Sequence, residues 1–189
     1  MLEDHEGDAM VVASPILTGA ECAAWIDWGK TTGFAHEKHA QTAHIAHRDN
    51  GRLAVDSDEV AAALFARLQP WVPAEVAGKH AVGCNPNIRL YRYGVGQRFG
   101  PHIDQANRLR SGATTEFTVL IYLNEEGLEG GETIFHGISG GDRSSSELRF
   151  APRKGAALIH AHGMRCLTHE GAAVTRGTKY LLRTDVAYR

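Results

Sequence analysis

The second half of the chain is a series of short segments in which apolar and polar residues alternate, separated by glycines. Alternation with a period of two is typical of strands that have one buried face. The pattern predicts eight strands, over residues 88–93, 100–104, 116–123, 132–136, 147–150, 156–160, 165–169 and 178–187. Eight short strands at this spacing favour a mainly β fold, a jelly roll or double-stranded β-helix of the cupin-like kind.

The first half carries a helical pattern in two places. Thr18 and Glu21 have the spacing of a capping box, and a second helix is expected to begin near Asp56 or Ser57. The apolar stripes of the two helices are Cys22, Trp25, Ile26 and Gly29, and then Val60, Leu64, Phe65 and Leu68. We expect one domain over residues 1–189, with helical support over about 14–75 and a jelly-roll core over about 87–188.

Three polar segments carry no such pattern. Residues 1–10 are expected to be loosely held, and residues 140–146 read as a flexible surface loop. Four histidines between the helices, His36, His39, His44 and His47, have spacings that invite a zinc interpretation. The segment has no cysteine and no HExxH frame, so a polar loop is the preferred interpretation.

Composition narrows the class of protein. The 189 residues carry a formal charge of −2 and 43% hydrophobic residues, a balance typical of a globular protein without a nucleic-acid-binding field. Three widely spaced cysteines suit a reducing compartment. The N-terminus is too acidic for a signal peptide, and no apolar run approaches the ~20 residues of a membrane span. We therefore expect a cytoplasmic protein that acts on neither membrane nor nucleic acid.

The segment His102-Ile103-Asp104 is the strongest candidate for chemistry. On a strand, His102 and Asp104 share one face and Ile103 faces the other way. An imidazole and a carboxylate side by side supply two of the three ligands of a 2-His-1-carboxylate facial triad.

A third ligand and an anion anchor follow further along the chain. His169 comes 67 positions after His102, far enough for the intervening strands to return to the first motif. Lys179 follows His169 by 10 positions on an alternating strand. A lysine pointing inward there is a costly buried cation unless an anion meets it, and a dicarboxylate cosubstrate would provide that anion.

Four motifs together resemble the Fe(II)- and 2-oxoglutarate-dependent dioxygenases of the prolyl 4-hydroxylase-like type. They are the run YGVGQRFGPHID ending at Asp104, then TVLIYLN over 118–124, GGETIF over 130–135, and HEG at 169–171 with Lys179-Tyr180. They occur in the order of that family and span about residues 88–187.

The resemblance implies a role for particular residues. His102, Asp104 and His169 match the iron ligands. Lys179 matches the residue that pairs with the distal carboxylate of 2-oxoglutarate, and Tyr93 and Thr133 match hydroxyl groups that hydrogen-bond the same carboxylate. Phe99 stands where many relatives carry tyrosine, which affects the cavity wall but not the metal site. The implied cofactors are Fe(II), the cosubstrate 2-oxoglutarate and O2, with ascorbate as a possible requirement for full activity.

Strand parity extends the inward face to candidate substrate residues. If Tyr93 points inward, so do Tyr91 and Arg89; if Lys179 does, so does Arg183. The two arginines suggest a substrate with a carboxylate or another anion. Equally, they can pair with internal acids such as Glu116 or Asp185.

The opposite face of the last strand carries Tyr180, Leu182 and Val186, and we expect the two helices to cover it. His160 and His162 read as strand-end histidines with satisfied hydrogen bonds. The loops 34–55 and 105–115 are expected to surround the barrel mouth and to choose the substrate.

The leading interpretation is an oxygenase that hydroxylates an unactivated C–H bond, most like a prolyl 4-hydroxylase, with succinate and CO2 as coproducts. A hydroxylase of small molecules or free amino acids has the same signature, so the partner is either a peptide or protein or a small molecule. A non-catalytic cupin-like metal- or ligand-binding module has no need of Lys179 with Tyr93 and Thr133. Nucleic-acid demethylation by the same chemistry disagrees with the pI of about 6.6. The sequence leaves the oligomeric state open.

Overall fold

A computed structural model describes residues 4–5, 10–13, 15–43, 45–139 and 145–189 of the chain. The helices are α1 (Gly19–Thr32) and α2 (Asp58–Leu68). The strands of the described residues are β1 (Asp4–His5), β2 (Met10–Ala13), β3 (Ala35–His39), β4 (Arg48–Asp56), β5 (Glu75–Val76), β6 (Lys79–Cys84), β7 (Asn87–Tyr93), β8 (Phe99–His102), β9 (Thr114–Tyr122), β10 (Glu129–Gly130), β11 (Thr133–Ser139), β12 (Ser145–Phe150), β13 (Ala157–Ala161), β14 (His169–Gly171), β15 (Val174–Arg176) and β16 (Lys179–Tyr188).

Most strands join in one antiparallel path, in the order β1-β2-β13-β9-β16-β7-β4-β8-β14-β11-β12. The larger half runs from β1 to β4, and the smaller half from β8 to β12. The two halves are joined between β4 and β8 through the pair Arg48 and Phe99. This arrangement is the predicted double-stranded β-helix.

The main core lies between the larger half of the sheet and the two helices. Each helix begins as its sequence predicts: Thr18 forms the capping box with Glu21, and the Ser57 hydroxyl accepts from the Val60 amide. From β16, Leu182 and Val186 enter this core together with Cys22 of α1 and Leu64 of α2. The predicted cover over the outer face of the last strand is thereby confirmed.

The charged segment between the helices was wrongly assigned as a loop over residues 34–55. Instead, β3 pairs with β4 in a hairpin. The side chains of β3 are exposed or half-buried on both faces, so this strand has no apolar alternation for the sequence to reveal. His36 and His39 lie in it, whereas His44 lies outside the described residues.

Three smaller predictions also change. The expected strand over 165–169 is wrong for most of its length, because Gly163–Arg165 forms a 3-10 helix and β14 begins at His169. Asp4–His5 was expected to be loosely held but pairs with β2. Most of the predicted loop 140–146 lies outside the described residues. No helix of the described chain is long and apolar enough to cross a membrane.

Gly155 fixes the segment that leads into α1. It has φ +82°, and its carbonyl accepts from the amides of Ile16 and Leu17. A Cβ at Gly155 would lie 2.3 Å from the Leu17 carbonyl oxygen. The entry to α1 therefore depends on a glycine here.

We expect Gly155→Ala to unfold at clearly lower denaturant concentration than the parent. Gly112→Ala is the matched control, since Gly112 has φ +84° and an open environment within 4 Å. The control should show only backbone strain, about 1–2 kcal/mol. The clash should cost Gly155→Ala about 1–3 kcal/mol more. Equal losses in urea denaturation would contradict the role given to the Leu17 contact.

Candidate metal centre and cosubstrate cavity

Pairing of β8 with β14 brings the two predicted histidine ligands together. His102 and His169 are direct partners across these strands. Asp104 follows the end of β8, where its amide donates to Cys166 Sγ and its carbonyl accepts from the Gly163 amide. Ile103, between the two ligands, is 47% exposed and faces away, as the strand period predicts.

His102, Asp104 and His169 form a compact group that we call the carboxylate trio. Nε2 of His102 lies 3.7 Å from Asp104 Oδ1, and Nε2 of His169 lies 3.8 Å from Asp104 Oδ2. Their ligand atoms lie within 4.8 Å of one another. Two imidazoles and one carboxylate at this spacing can hold a divalent ion on one face and leave other positions open.

Backbone carbonyls set the tautomer of both histidines. Nδ1 of His102 lies 2.8 Å from the Gly100 oxygen, and Nδ1 of His169 lies 2.9 Å from the Leu167 oxygen. A carbonyl only accepts, so each Nδ1 carries the proton and each Nε2 keeps its lone pair for a metal. Burial lowers the pKa of both, that of His102 to about 4, so the neutral form is present at pH 7.

Asp104 is held ionised by its neighbours. Burial alone would raise its pKa, but Arg183 and the surrounding imidazoles hold the pKa far below the ordinary value. Oδ2 accepts from the Thr118 hydroxyl at 2.7 Å and pairs with Arg183 Nη2 at 3.1 Å. With Oδ2 engaged in this way, Oδ1 faces His102 and can serve a metal ion.

Phe99 supports His102 from the other side. Its ring stacks on the imidazole at a centroid distance of 3.7 Å, and the guanidinium of Arg48 lies 4.0 Å from the Phe99 centroid. The position where relatives carry tyrosine is therefore a packing contact with a candidate ligand.

The carboxylate trio and Lys179 line the same cavity. Lys179 is 3% exposed, and its ammonium donates to the Gly131 carbonyl. Burial lowers its pKa to about 8, and the charge of Glu132 opposes this. No described carboxylate forms an ion pair with it.

Hydroxyl groups surround this buried ammonium. Tyr93 is the direct partner of Lys179 across the strands, and Thr133 lines the same cavity. The Thr133 hydroxyl is hydrogen-bonded to Tyr122 at 2.8 Å. The rings of Tyr93 and Tyr122 lie 5.7 and 5.4 Å from Lys179 Nζ. The cavity thus has a metal-binding end and a cationic end.

Of the three candidate substrate residues, two line the cavity and Arg89 is not among its lining residues. Tyr91 and Arg183 line the cavity, as strand parity predicts. Both arginines, however, pair with an internal acid: Arg89 with Asp185, and Arg183 with Asp104 and Asp185. Of the two expectations for Arg89 and Arg183, pairing with internal acids is the one that the contacts agree with. Neither guanidinium is a free anion receptor.

The sequence interpretation missed Thr118 and Tyr122. Both stand on β9, one two positions before Leu120 and the other two positions after it, and Leu120 lines the cavity. Across the strands, Thr118 pairs with Asp185 and Tyr122 with Leu181. Strand parity could have found them, because the same period that places Leu120 inward also places both hydroxyls.

His160 corrects a further prediction. His162 is satisfied, with Nε2 2.8 Å from the Thr118 hydroxyl. His160, expected to be equally satisfied, is 1% exposed, and neither ring nitrogen has a hydrogen-bond partner in the described part of the chain. It stands on β13, all five residues of which are buried, up to the end of the strand.

Fold and site together define a non-haem metal oxygenase of the double-stranded β-helix class. Residues 88–184, just over half of the chain, match the model of the 2OG-Fe(II) oxygenase superfamily. The chain belongs to this superfamily, and membership implies Fe(II), 2-oxoglutarate and O2. No curated protein matches the sequence.

Solved structures of prolyl hydroxylases share the fold. The viral collagen prolyl hydroxylase of Paramecium bursaria Chlorella virus-1 is 16% identical, with a TM-score of 0.66 over 96% of this chain and 97% of that one. A Trichoplax adhaerens prolyl hydroxylase, solved with a hypoxia-inducible-factor peptide, is 16% identical at 0.66, over 95% and 84%. A Pseudomonas putida prolyl-4-hydroxylase is 16% identical at 0.64, over 96% and 94%.

We expect Lys179→Met to stabilise the ligand-free protein. A buried ammonium with a pKa lowered to about 8 costs about 3 kcal/mol at pH 7, and a methionine of similar length removes this cost. The gain in the free energy of unfolding should shrink as the pH rises from 8 towards 10, because Lys179 of the parent is then neutral in the folded protein. Thermal unfolding across this pH range measures it.

Lys30→Met is the control, because the Lys30 side chain is 58% exposed. It should change the free energy of unfolding by less than about 0.5 kcal/mol. A loss of stability in Lys179→Met would mean that the contact with Gly131 outweighs the desolvation of the ammonium.

Proposed function

We propose that the protein is an Fe(II)- and 2-oxoglutarate-dependent hydroxylase of an unactivated C–H bond, most like a prolyl 4-hydroxylase, with succinate and CO2 as coproducts. The observation that carries the proposal is the buried ammonium of Lys179 at one end of a cavity whose other end is the carboxylate trio. A binding module that holds a metal alone has no use for this cation.

The carboxylate trio fits Fe(II). In our proposal Nε2 of His102, Nε2 of His169 and Oδ1 of Asp104 are the ligands. The ionised carboxylate neutralises part of the charge of the ion, and the neutral imidazoles are nitrogen donors that a borderline metal such as Fe(II) accepts. The carbonyls of Gly100 and Leu167 hold both rings in the tautomer that this role requires.

The other end fits the distal carboxylate of 2-oxoglutarate. Lys179 supplies the charge, and Tyr93 and Thr133 supply hydroxyl donors. Tyr122, through its hydrogen bond to Thr133, orients that hydroxyl. The keto-acid end would then lie towards the metal held by the carboxylate trio, so the chain would hold the cosubstrate at both ends.

Bound Fe(II) and 2-oxoglutarate supply the oxidising chemistry, in which O2 decarboxylates the keto acid to succinate and CO2 and hydroxylates the substrate. The chain orients the cosubstrate and keeps water from the reacting carbon. Leu120 and Leu181 line the same cavity and make part of its wall apolar. Arg183 keeps Asp104 ionised without reaching for the cosubstrate itself.

The choice of peptidyl proline rests on the likeness of the fold to prolyl hydroxylases. A free amino acid or another small molecule is the alternative substrate, and the loop of residues 105–115 is expected to help choose between them. Because Arg89 and Arg183 are engaged by acids, we do not assign them to an anionic group of the substrate.

We expect the purified chain with Fe(II), ascorbate and 2-oxoglutarate to release succinate slowly without substrate, and faster with proline-containing peptides. His102→Ala and Asp104→Ala should abolish release, because each removes a proposed ligand. Lys179→Ala should mainly raise the KM for 2-oxoglutarate. Arg89→Ala serves as a control for substrate charge, since neutral and acidic peptides should respond to it equally.

Binding of 2-oxoglutarate to the metal-loaded protein is the measurement that decides between the oxygenase and the binding module. A metal-loaded wild-type protein that fails to bind 2-oxoglutarate in calorimetry would overturn the assignment and favour the binding-module alternative. If peptides leave succinate release unchanged and a free amino acid increases it, the small-molecule substrate is favoured over peptidyl proline.

The affinity for 2-oxoglutarate should depend on pH through Lys179. The charged form binds the anion, and its pKa in the ligand-free protein is about 8. Affinity should therefore be constant below about pH 7.5 and fall up to about tenfold per pH unit above 8. Lys179→Arg should remove this slope, because a guanidinium stays charged. An unchanged slope in Lys179→Arg would assign the titration to another group.

A further inference from the structure

His160 is a buried imidazole to which no described residue forms a hydrogen bond. Its exposed fraction is 1%, and among the described residues neither nitrogen forms a hydrogen bond. An unsatisfied buried polar group destabilises the folded protein, whereas an apolar side chain would fill the same space without this cost. Its ring lies 4.4 Å from that of His169 and 5.3 Å from that of Phe135.

Cys166 approaches the same place from the turn before β14. Its Sγ lies 3.8 Å from Nδ1 of His169 and accepts from the Asp104 amide at 3.2 Å. The ligand atoms of His160, Cys166 and His169 all lie within 4.8 Å of one another. We call these residues the thiolate trio.

We propose that the thiolate trio is a second metal site, for a thiophilic divalent ion such as Zn²⁺, that lies beside the carboxylate trio and shares His169 with it. Two imidazoles and one thiolate are a ligand set that zinc accepts, with a fourth position left for water or for Asp104. Nε2 of His160 lies 3.7 Å from Asp104 Oδ2, so the two sites adjoin.

The two trios differ in their donor atoms, because only the thiolate trio contains sulfur. The carboxylate trio offers only nitrogen and oxygen, whereas Cys166 offers a soft donor that favours zinc over Fe(II). Binding displaces the thiol proton to water, without any change of oxidation state.

Sharing His169 makes the sites compete. An ion held by His160 and Cys166 draws His169 away from the carboxylate trio and leaves Fe(II) with two protein ligands. A thiophilic ion therefore inhibits the proposed oxygenase at a place next to the iron position rather than only by replacing iron.

Cobalt(II) tests the site, because a cysteine thiolate bound to it gives a charge-transfer band in the near ultraviolet that nitrogen and oxygen ligands do not give. Titration of the full chain should produce this band. Cys166→Ser should abolish it, and His160→Gln should weaken Zn²⁺ binding, measured by competition with a chromogenic chelator, about tenfold or more.

The double variant Cys22→Ser, Cys84→Ser is the matched control. Both residues are buried free cysteines outside the cluster, and this variant leaves Cys166 as the sole thiol of the chain. It should keep the band, which makes the test independent of how well Cys166→Ser folds.

A wild-type protein without a thiolate band, or a double variant that loses it, would overturn the proposal. The binding of 2-oxoglutarate is measured separately, on wild-type protein loaded with Fe(II) and never exposed to Co²⁺, because an ion in the thiolate trio would itself disturb the carboxylate trio. Failure of that binding would remove the proposed function and leave the thiolate trio standing, so the two proposals are tested independently.

Discussion

The site depends on one buried ion pair, between Asp104 and Arg183. Both residues are buried, and in such an environment an unpaired charge is far more costly than a paired one. Asp185 and Arg89 extend the pair to two acids and two arginines, linked through Arg183. The network balances its own charge, so Asp104 can remain ionised inside the barrel. A metal ion then meets a preformed carboxylate.

At the other end of the cavity, the buried charge is not balanced by an opposite charge. Lys179 is as buried as Arg183, yet the described chain offers it only a carbonyl oxygen as a close partner. Among the described residues, Asp104, Asp185, Arg89 and Arg183 pair with one another, whereas Lys179 has no ion-pair partner. The ammonium therefore favours a ligand with a terminal anion. This difference, more than the presence of either group alone, links the cavity to a dicarboxylate.

Much of this could be predicted from the sequence, because strand period decides which side chains share a face. Parity places His102 with Asp104 on one face and Tyr91 with Tyr93 on another, whereas the roles of Tyr93 and Lys179 came from the resemblance to the family. Of the partners of Arg183, Asp185 could be named from the sequence, because it stands two positions further along the same strand. The contact with Asp104 does not follow from parity, because it depends on how the segment after β8 lies against β16. Nor does the approach of Cys166 to His160, which is set by the path of a turn with no periodic pattern. The hairpin of β3 and β4 was missed because a strand with two polar faces resembles a loop.

That missed hairpin reaches the metal centre. Glu37 of β3 lies 3.4 Å from Arg48 of β4, whose guanidinium rests on Phe99, and Phe99 stacks on His102. The pair of Arg48 and Phe99 also joins the two halves of the sheet. A cation on one face of the ring and an imidazole on the other restrict how Phe99 can turn. The orientation of His102 is therefore set by its own backbone contact and by a charged strand pair outside the family motifs, so changes in the hairpin can act on the metal ligand without entering the cavity.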